Sequence, residues 1–539
     1  MIDSGDGRRK EPPIDETLLL GIDLGTSNLK AGLYNDRGEV ILLARSAVPM
    51  IRSHPGVYEQ DPRAWWEILC NLLRELVAEM PGVSRAIRVV GVCGQSHGPT
   101  PFSRTGQPLA NCITWLDRRG DREVSWIAEH VGEGLLSSEG NPPADTCYTA
   151  AKVLWTRETK PGLFADTHKF LLPKDVLTFW LTGEYGTDTT DASVTDLFSE
   201  QAQDWSKSIL DRMGIEREKL PPVRKSWDVI GEVSEQAALQ TGLEKGTPVI
   251  AGAADWACLY YGAGGIKPGV TIDLSGTVGG VLTTTSSHVG LPSAMSIIPG
   301  LRHAFGCCIE SSSAVYEWYR GILGRFGGRN PVEVPSLADL DSSAETVPPG
   351  AGGIIVVPRF AGARRPERSD SRGSIIGLTL SSTASQVARA ILEGLAFEYR
   401  RGVERMRAVG IPCRRIRAIG GGARSAVWRQ IKADVTGAEY EAVNIDEVGA
   451  FGVAMLGGYA IGMFPSLQSP IEEFVAVTEV AIPRDEAATT YNHLYHAYCR
   501  AVEVLESSGI YGGLGEVGGA GHTARVPRLG GPLEGGRLT

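Results

Sequence analysis

Apolar and polar positions alternate in two different rhythms along the chain. Between Leu18 and Leu33 two short apolar runs are joined by the small polar residues of Asp23-Leu-Gly-Thr-Ser-Asn28, the pattern of a β-hairpin whose first strand ends on Asp23. Asn35-Asp-Arg-Gly38 reads as a turn and Glu39 to Ala44 as a third strand, completing an antiparallel meander. The period changes at Asp61-Pro62. Asp is a good helix cap and Pro suits a first turn, and Trp65, Leu69, Leu72 and Leu76 then fall on one helical face. A strand from Ile87 to Val92 leads into Gly94-Gln-Ser-His-Gly-Pro99, and functional loops sit at such strand ends in open α/β sheets. Leu172 to Gly183 predicts a capped helix stopped by glycine, and Thr247 to Asp255 a buried strand that ends in small residues and one carboxylate.

Near mid-chain the hairpin pattern returns. Thr271-Ile-Asp-Leu-Ser-Gly-Thr-Val-Gly-Gly-Val-Leu282 repeats Ile-Asp-Leu, Gly-Thr and a further apolar run, so the chain reads as a duplication, with Asp273 an echo of Asp23. Ser385 to Arg401 carries Val387, Ile391 and Leu395 beside Ala388 and Leu392, the spacing of a core helix. Arg415 to Gly422 is a strand entering three glycines, and Ser425 caps a helix from Ala426 to Thr436 that Gly437 ends. Gly449 to Gly458 predicts a helix of small residues lying close to that glycine turn. The expected organisation is a polar extension over 1–17, a first lobe over 18–264, a second over 265–462, a helical segment over 463–511 and a Gly-rich, disordered tail over 512–539.

Composition narrows the class. At 539 residues, 42% hydrophobic and 22% charged, the chain has ample material for two large α/β lobes, and no apolar run of about 18 residues points to a membrane. The polar start lacks the apolar core of a signal peptide, and nine cysteines without a Cys-x-x-Cys pair, two of them adjacent at 307 and 308, fit a reduced, cytoplasmic interior. A net charge of −10 argues against a nucleic-acid surface but leaves room for an anionic nucleotide, because local donors decide that.

Candidate chemistry gathers at the turns. Gly25, Thr26 and Ser27 can turn backbone N–H groups and two hydroxyls toward an anion, with Lys30 in the following strand, while Asp23 beside them suits Mg²⁺, which takes one or two carboxylates, waters and phosphates. The same residues would serve a tight hairpin with an Asx turn. Asp255 is either a base at a strand end or the N-cap of a helix. His97 in its glycine loop is either structural or a ligand for hydroxyls, and Asp117-Arg118 either a pocket pair or a surface ion pair. Two decoys are set aside. Gly513-Leu-Gly-Glu-Val-Gly518 has no βαβ unit around it, and His493 with His496 lacks a third metal ligand. The P-loop consensus does not occur.

Several of these stretches together resemble a family. Gly21-Ile-Asp-Leu-Gly-Thr-Ser27 with Gly276-Thr277 is similar to the phosphate signatures of the actin-like ATPase superfamily. Within it, Tyr58-Glu-Gln-Asp-Pro-Arg-Ala-Trp-Trp66, Gly94-Gln-Ser-His-Gly98 and Gly420-Gly-Gly-Ala-Arg-Ser425 resemble the FGGY carbohydrate kinases, and most of all the members acting on xylulose. The resemblance implies a two-lobed, ribonuclease H-like α/β fold with duplicated domains around a cleft, and ATP-dependent phosphorylation of a small ketose or polyol with Mg²⁺. It assigns Asp255 as catalytic base and Asp23 to the metal. Gln95, Ser96, His97, Asp117, Arg118 and Trp256 go to the sugar. Gly25, Thr26, Ser27, Lys30, Gly276, Thr277, Gly421, Gly422, Ala423 and Ser425 go to the nucleotide, Gly421, Gly422 and Ala423 at its adenosine. A pentulose such as xylulose is the favoured acceptor; ribulose, erythritol and glycerol are alternatives, as is a nucleotide-binding switch without kinase activity. A homodimer is a further expectation. The chain departs from the family pattern at Ser96, usually Met, at Trp256 and at Ala363, positions that would bear on selectivity, and at Val278, where one hydroxyl contact of the second hairpin is lost.

Overall fold

A computed structural model describes residues 17–54, 56–325, 334–363 and 371–512. Residues 1–16 of the expected polar extension and residues 513–539 of the Gly-rich tail, with its glycine decoy, lie outside the described residues.

Each half of the chain builds a seven-stranded sheet. In the first, β1 (Leu18–Leu24), β2 (Asn28–Tyr34) and β3 (Val40–Ala47) form the meander. Helix α1 (Pro62–Glu79), capped by Asp61, then returns the chain to β4 (Ile87–Gly94), parallel to β1. β5 (Val229–Glu232), β6 (Pro248–Ile250) and β7 (Ala253–Ala254) extend this sheet beyond β4, and α2 (Asp255–Gly262) closes the lobe. The second sheet repeats the plan. β8 (Thr271–Ser275), β9 (Gly279–Thr285) and β11 (Arg302–Ile309) form a meander edged by β10 (Ser293–Met295), and α3 (Ala384–Ala408) leads to β12 (Arg415–Ile419), parallel to β8. α4 (Ala426–Thr436), β13 (Glu439–Val443), α5 (Val448–Ala460), β14 (Val477–Ala481) and α6 (Asp485–Ser507) complete it. The expected duplication is thus a repeated strand order, meander then helix then parallel strand.

Five expectations change. β1 runs one residue past Asp23, and α3 is longer at both ends than 385–401. The strand expected over 247–255 is broken in two, because Gly252 takes φ +72° and presses against β4, where a Cβ would stand 1.8 Å from the Val92 carbonyl oxygen. The segment 463–511 is not wholly helical, since β14 lies within it as the outer strand of the second sheet. Finally, α5 reaches the cavity bordered by the glycine turn only at its start, with Val448 and Gly449, and the rest of it packs elsewhere. It packs on β1 and β4 of the first lobe and against α2, and glycines on both sides permit that approach: a Cβ on Gly21 of β1 would stand 1.9 Å from the Ala450 carbonyl oxygen, and one on Gly452 of α5 2.4 Å from the Cys258 carbonyl oxygen. α2 and α5 therefore cross between the lobes and lie under the cleft.

Asp273 is the echo it was expected to be. Its buried carboxylate pairs with Lys432 of α4, whose ammonium also takes the Ser275 hydroxyl and lies 3.7 Å from the centre of the Trp428 ring. Both carboxylates face a lysine, but Asp23 at 3.6 Å keeps one oxygen without a hydrogen-bond partner, whereas Asp273 is bonded at both oxygens, by Lys432 and by the Ser275 hydroxyl.

Candidate active site

A cavity of about 1720 Å³ separates the lobes. Single small-molecule sites run on the order of 300–1000 Å³, so this one has room for two substrates. Both hairpin turns reach it, the first with Gly25, Thr26 and Ser27 and the second with Gly276 and Thr277. Each turn is pinned from behind by two successive carbonyls. Gln60 Nε2 donates to Thr26 O at 2.8 Å and Val48 N to Ser27 O at 2.9 Å. Ser313 N donates to Gly276 O at 3.1 Å and Ser312 N to Thr277 O at 2.9 Å. In a trans peptide the N–H points opposite its carbonyl, so the N–H groups of Ser27, Asn28, Thr277 and Val278 are turned away from these anchors. Such paired N–H groups form an anion cradle.

Asp23 and Asp255 stand at this cradle, the first at the end of β1 and the second opening α2 at the end of β7. Asp23 Oδ2 faces Lys30 Nζ at 3.6 Å, the cross-strand partner that hairpin register dictates, and Lys30 reaches Glu447 at 2.8 Å. Burial would lower the lysine, but the carboxylates of Asp23 and Glu447 hold it charged and raise it. Burial raises Asp23 despite Lys30, and its Oδ1 is buried without a hydrogen-bond partner. An orphaned carboxylate oxygen beside a phosphate cradle fits a Mg²⁺ ion held by one protein ligand, phosphates and water. Among the described residues no cluster of three His, Cys, Asp or Glu could hold a metal by itself.

Asp255 is not an N-cap: Ala254 holds that position, and the Asp255 carboxylate accepts from Trp256 N at 2.6 Å. Burial, then the charge of Asp23, push Asp255 up to about 7. A carboxylate poised there can take a proton near neutral pH.

On the sugar side Gln95, Ser96, His97, Arg118 and Trp256 all line the cavity. His97 has φ +71°, and its Nδ1 lies 2.8 Å from Val194 O. A carbonyl only accepts, so Nδ1 carries a proton, and in the neutral tautomer that this leaves Nε2 is an acceptor. Gln95 is fixed by Gln60 at 2.7 Å and by the Thr26 hydroxyl at 3.3 Å, tying the loop at 94–99 to the turn at 25–27. Trp256 meets His303 and Phe305 edge-on.

Several expected site residues stand elsewhere. Asp117 does not line the cavity: its buried carboxylate is consumed by Tyr58 N and by the backbone and guanidinium of Arg119, so it fastens a loop. Arg118 is the member of that pair on the cavity, between Asp145 at 3.4 Å and Glu310 of the opposite lobe at 3.5 Å. In the glycine turn, Gly420, Gly421 and Arg424 form the wall, whereas Gly422, Ala423 and Ser425 lie behind it. A Cβ on Gly422 would meet Trp428 Cζ3 at 2.3 Å and Ser275 O at 2.9 Å, while one on Gly421 meets nothing within 4 Å. Ser425 caps α4 through Trp428 N. Sequence reasoning missed Glu447 and Glu310, which reach the site only through the packing of the second lobe and carry no local signal.

Residues 18–260 match the N-terminal domain of the FGGY family of carbohydrate kinases, and residues 274–461 match its C-terminal domain. A xylulose kinase from Bacillus subtilis is 31% identical over 485 residues, 89% of this chain and 95% of that protein. The xylulose kinase structure from Rhodospirillum rubrum is 26% identical with a TM-score of 0.78, covering 90% of this chain and 99% of that one. The ligand-bound xylulose kinase from Lactobacillus acidophilus, 24% identical with a TM-score of 0.82 over 92% of this chain and 100% of its own, shares the fold. With the doubled sheets, the shared cavity and both domains in order, the chain belongs to the FGGY family of carbohydrate kinases.

Proposed function

We propose that this carbohydrate kinase transfers the γ-phosphoryl group of ATP to a hydroxyl of a pentulose such as xylulose. The observation that carries the reading is the meeting, on one cavity, of a carboxylate with a pKa near 7, a hydroxyl-binding loop and two anion cradles. Its support for the pentulose is the likeness over most of the chain to proteins named xylulose kinase.

In this reading Gln95, Ser96, His97, Arg118 and Trp256 orient the sugar, the Nε2 of His97 accepting from a hydroxyl. Asp255 takes the proton of the attacking hydroxyl as its oxygen bonds to phosphorus. Asp23 would hold Mg²⁺, which neutralises phosphate charge when bound. The turns at 25–27 and 276–277 bind the polyphosphate, and Gly420, Gly421 and Arg424 border the nucleoside. Lys30, held charged between two carboxylates, supplies a fixed positive charge beside the cradle. Cytoplasmic residence belongs to the same reading, supported by nine cysteines that form no disulfide among the described residues.

ADP release measured over a panel of pentuloses, hexuloses, tetritols and glycerol with Mg²⁺-ATP tests it. The highest kcat/KM is expected for xylulose. A preference for a tetritol or glycerol would move the acceptor class, and ATP binding without sugar-dependent ADP release would replace the kinase by a nucleotide switch.

A further inference from the structure

Helix Thr149–Thr159 runs behind the sugar loop and buries Lys152, which is 1% exposed. Among the described residues this ammonium makes no ion pair. It donates instead to two backbone carbonyls, His97 O at 3.3 Å and Cys147 O. A charge so deeply buried is costly unless it is hydrogen-bonded, and an apolar side chain of the same length would fill the space without that cost. What the ammonium contributes is therefore a grip on those carbonyls.

The gripped residue needs holding. His97 is a non-glycine residue at φ +71°, a conformation that persists only where its surroundings determine it. Lys152 Nζ and Thr149 Oγ1, the latter at 3.2 Å, converge on its carbonyl, Val194 O takes its Nδ1, and the ring of Tyr148 meets the imidazole edge-on at 5.2 Å. The carbonyl faces the lobe interior while the residue lines the cavity. We propose that Lys152 is a positioning residue of the sugar site, its buried ammonium fixing the backbone of His97 in the conformation that presents the imidazole to the acceptor. This rests on the reading that His97 contacts the sugar.

Burial lowers Lys152 to about 8, with Cys147, Asp117 and Cys112 acting to keep it charged and Arg118 acting against it. A neutral amine can still donate to both carbonyls but without the charge that strengthens those bonds, so the grip slackens above that pH.

The test is Lys152→Met, assayed for sugar KM, ATP KM and kcat. Sugar KM is expected to rise roughly 10-fold or more, the scale of one lost hydrogen bond from a charged donor, with ATP KM and kcat within about 2-fold. In a His97→Ala background Lys152→Met should add nothing, because one residue acts through the other. Wild-type sugar KM should climb above about pH 8, and the Met variant should lack that limb. A lower melting temperature with unchanged sugar KM overturns the inference, as does an equal rise in the His97→Ala background. If the Met variant does not fold, Thr149→Val and the wild-type pH profile decide: unchanged sugar KM in the first and a flat profile in the second overturn it. His97→Ala separates the two readings. If it raises sugar KM while the Lys152 and Thr149 variants do not, only this inference falls; if it leaves sugar KM unchanged, the assignment of the sugar loop falls with it.

Discussion

Replacing Asp255 by Asn should make the enzyme inactive and, at neutral to alkaline pH, more stable. Asp255 ordinarily titrates at 3.8 and is pushed up to about 7 in the fold, first by burial and then by the charge of Asp23. The folded state therefore holds this proton more tightly than the unfolded chain does. Stability falls as pH rises from about 4 to about 7, and the penalty is complete above that window. At about 1.4 kcal/mol per pKa unit, ionised Asp255 costs on the order of 4 kcal/mol. Asn keeps the shape and the acceptor for Trp256 N at 2.6 Å, so it removes the charge while leaving the start of α2 intact. Losing the base should slow kcat by roughly 10²- to 10⁴-fold, with KM for both substrates changing far less. The assays are sugar-dependent ADP release, and thermal unfolding in chelator at about pH 4 and pH 8, chosen as the two ends of the titration. The melting temperature of the variant should exceed the wild type most at the higher pH and converge with it at the lower. Near-normal kcat would remove Asp255 as the base, and a stability difference that does not grow with pH would refute the strained, ionised carboxylate.

Asp23→Ala removes the orphaned oxygen assigned to the metal and should abolish turnover with Mg²⁺-ATP, while sugar binding measured by calorimetry survives; near-normal turnover would dismiss the assignment. The two glycines of the nucleotide turn should part company. Gly421→Val projects into open cavity and should weaken ATP binding in a normally folded protein. Gly422→Val drives a side chain into Trp428 and should lower stability by roughly 1–3 kcal/mol or more, the overpacking range. ATP titration together with thermal melts distinguishes them, and reversed phenotypes would refute the placement of the turn.

Much of the architecture was legible locally. The hairpins at 18–34 and 271–285, the cap at Asp61, the core helix within 384–408 and the cap at Ser425 are all set by short-range rules of period, turn and capping, and they form where the residues ask for them. The carboxylates at the ends of apolar strands, Asp23 and Asp255, were legible for the same reason, because a charge placed after a buried strand must emerge at the sheet's edge. What the sequence could not decide is which equally plausible polar residue faces the cleft. Asp23 and Asp273 occupy equivalent places in repeated hairpins, yet only a lysine far along the chain, Lys432, closes the second, and no local pattern announces it. Asp117 and Arg118 are neighbours, but packing turns one into the loop and the other into the cavity. Gly421 and Gly422 differ only in the direction a missing side chain would take, which depends on where Trp428 lies. The small residues of α5 promised a close contact, but its partner was the sheet of the other lobe. Local sequence determines which elements form and where charge must surface; long-range packing determines which of those charges is neutralised and which is left open to a substrate.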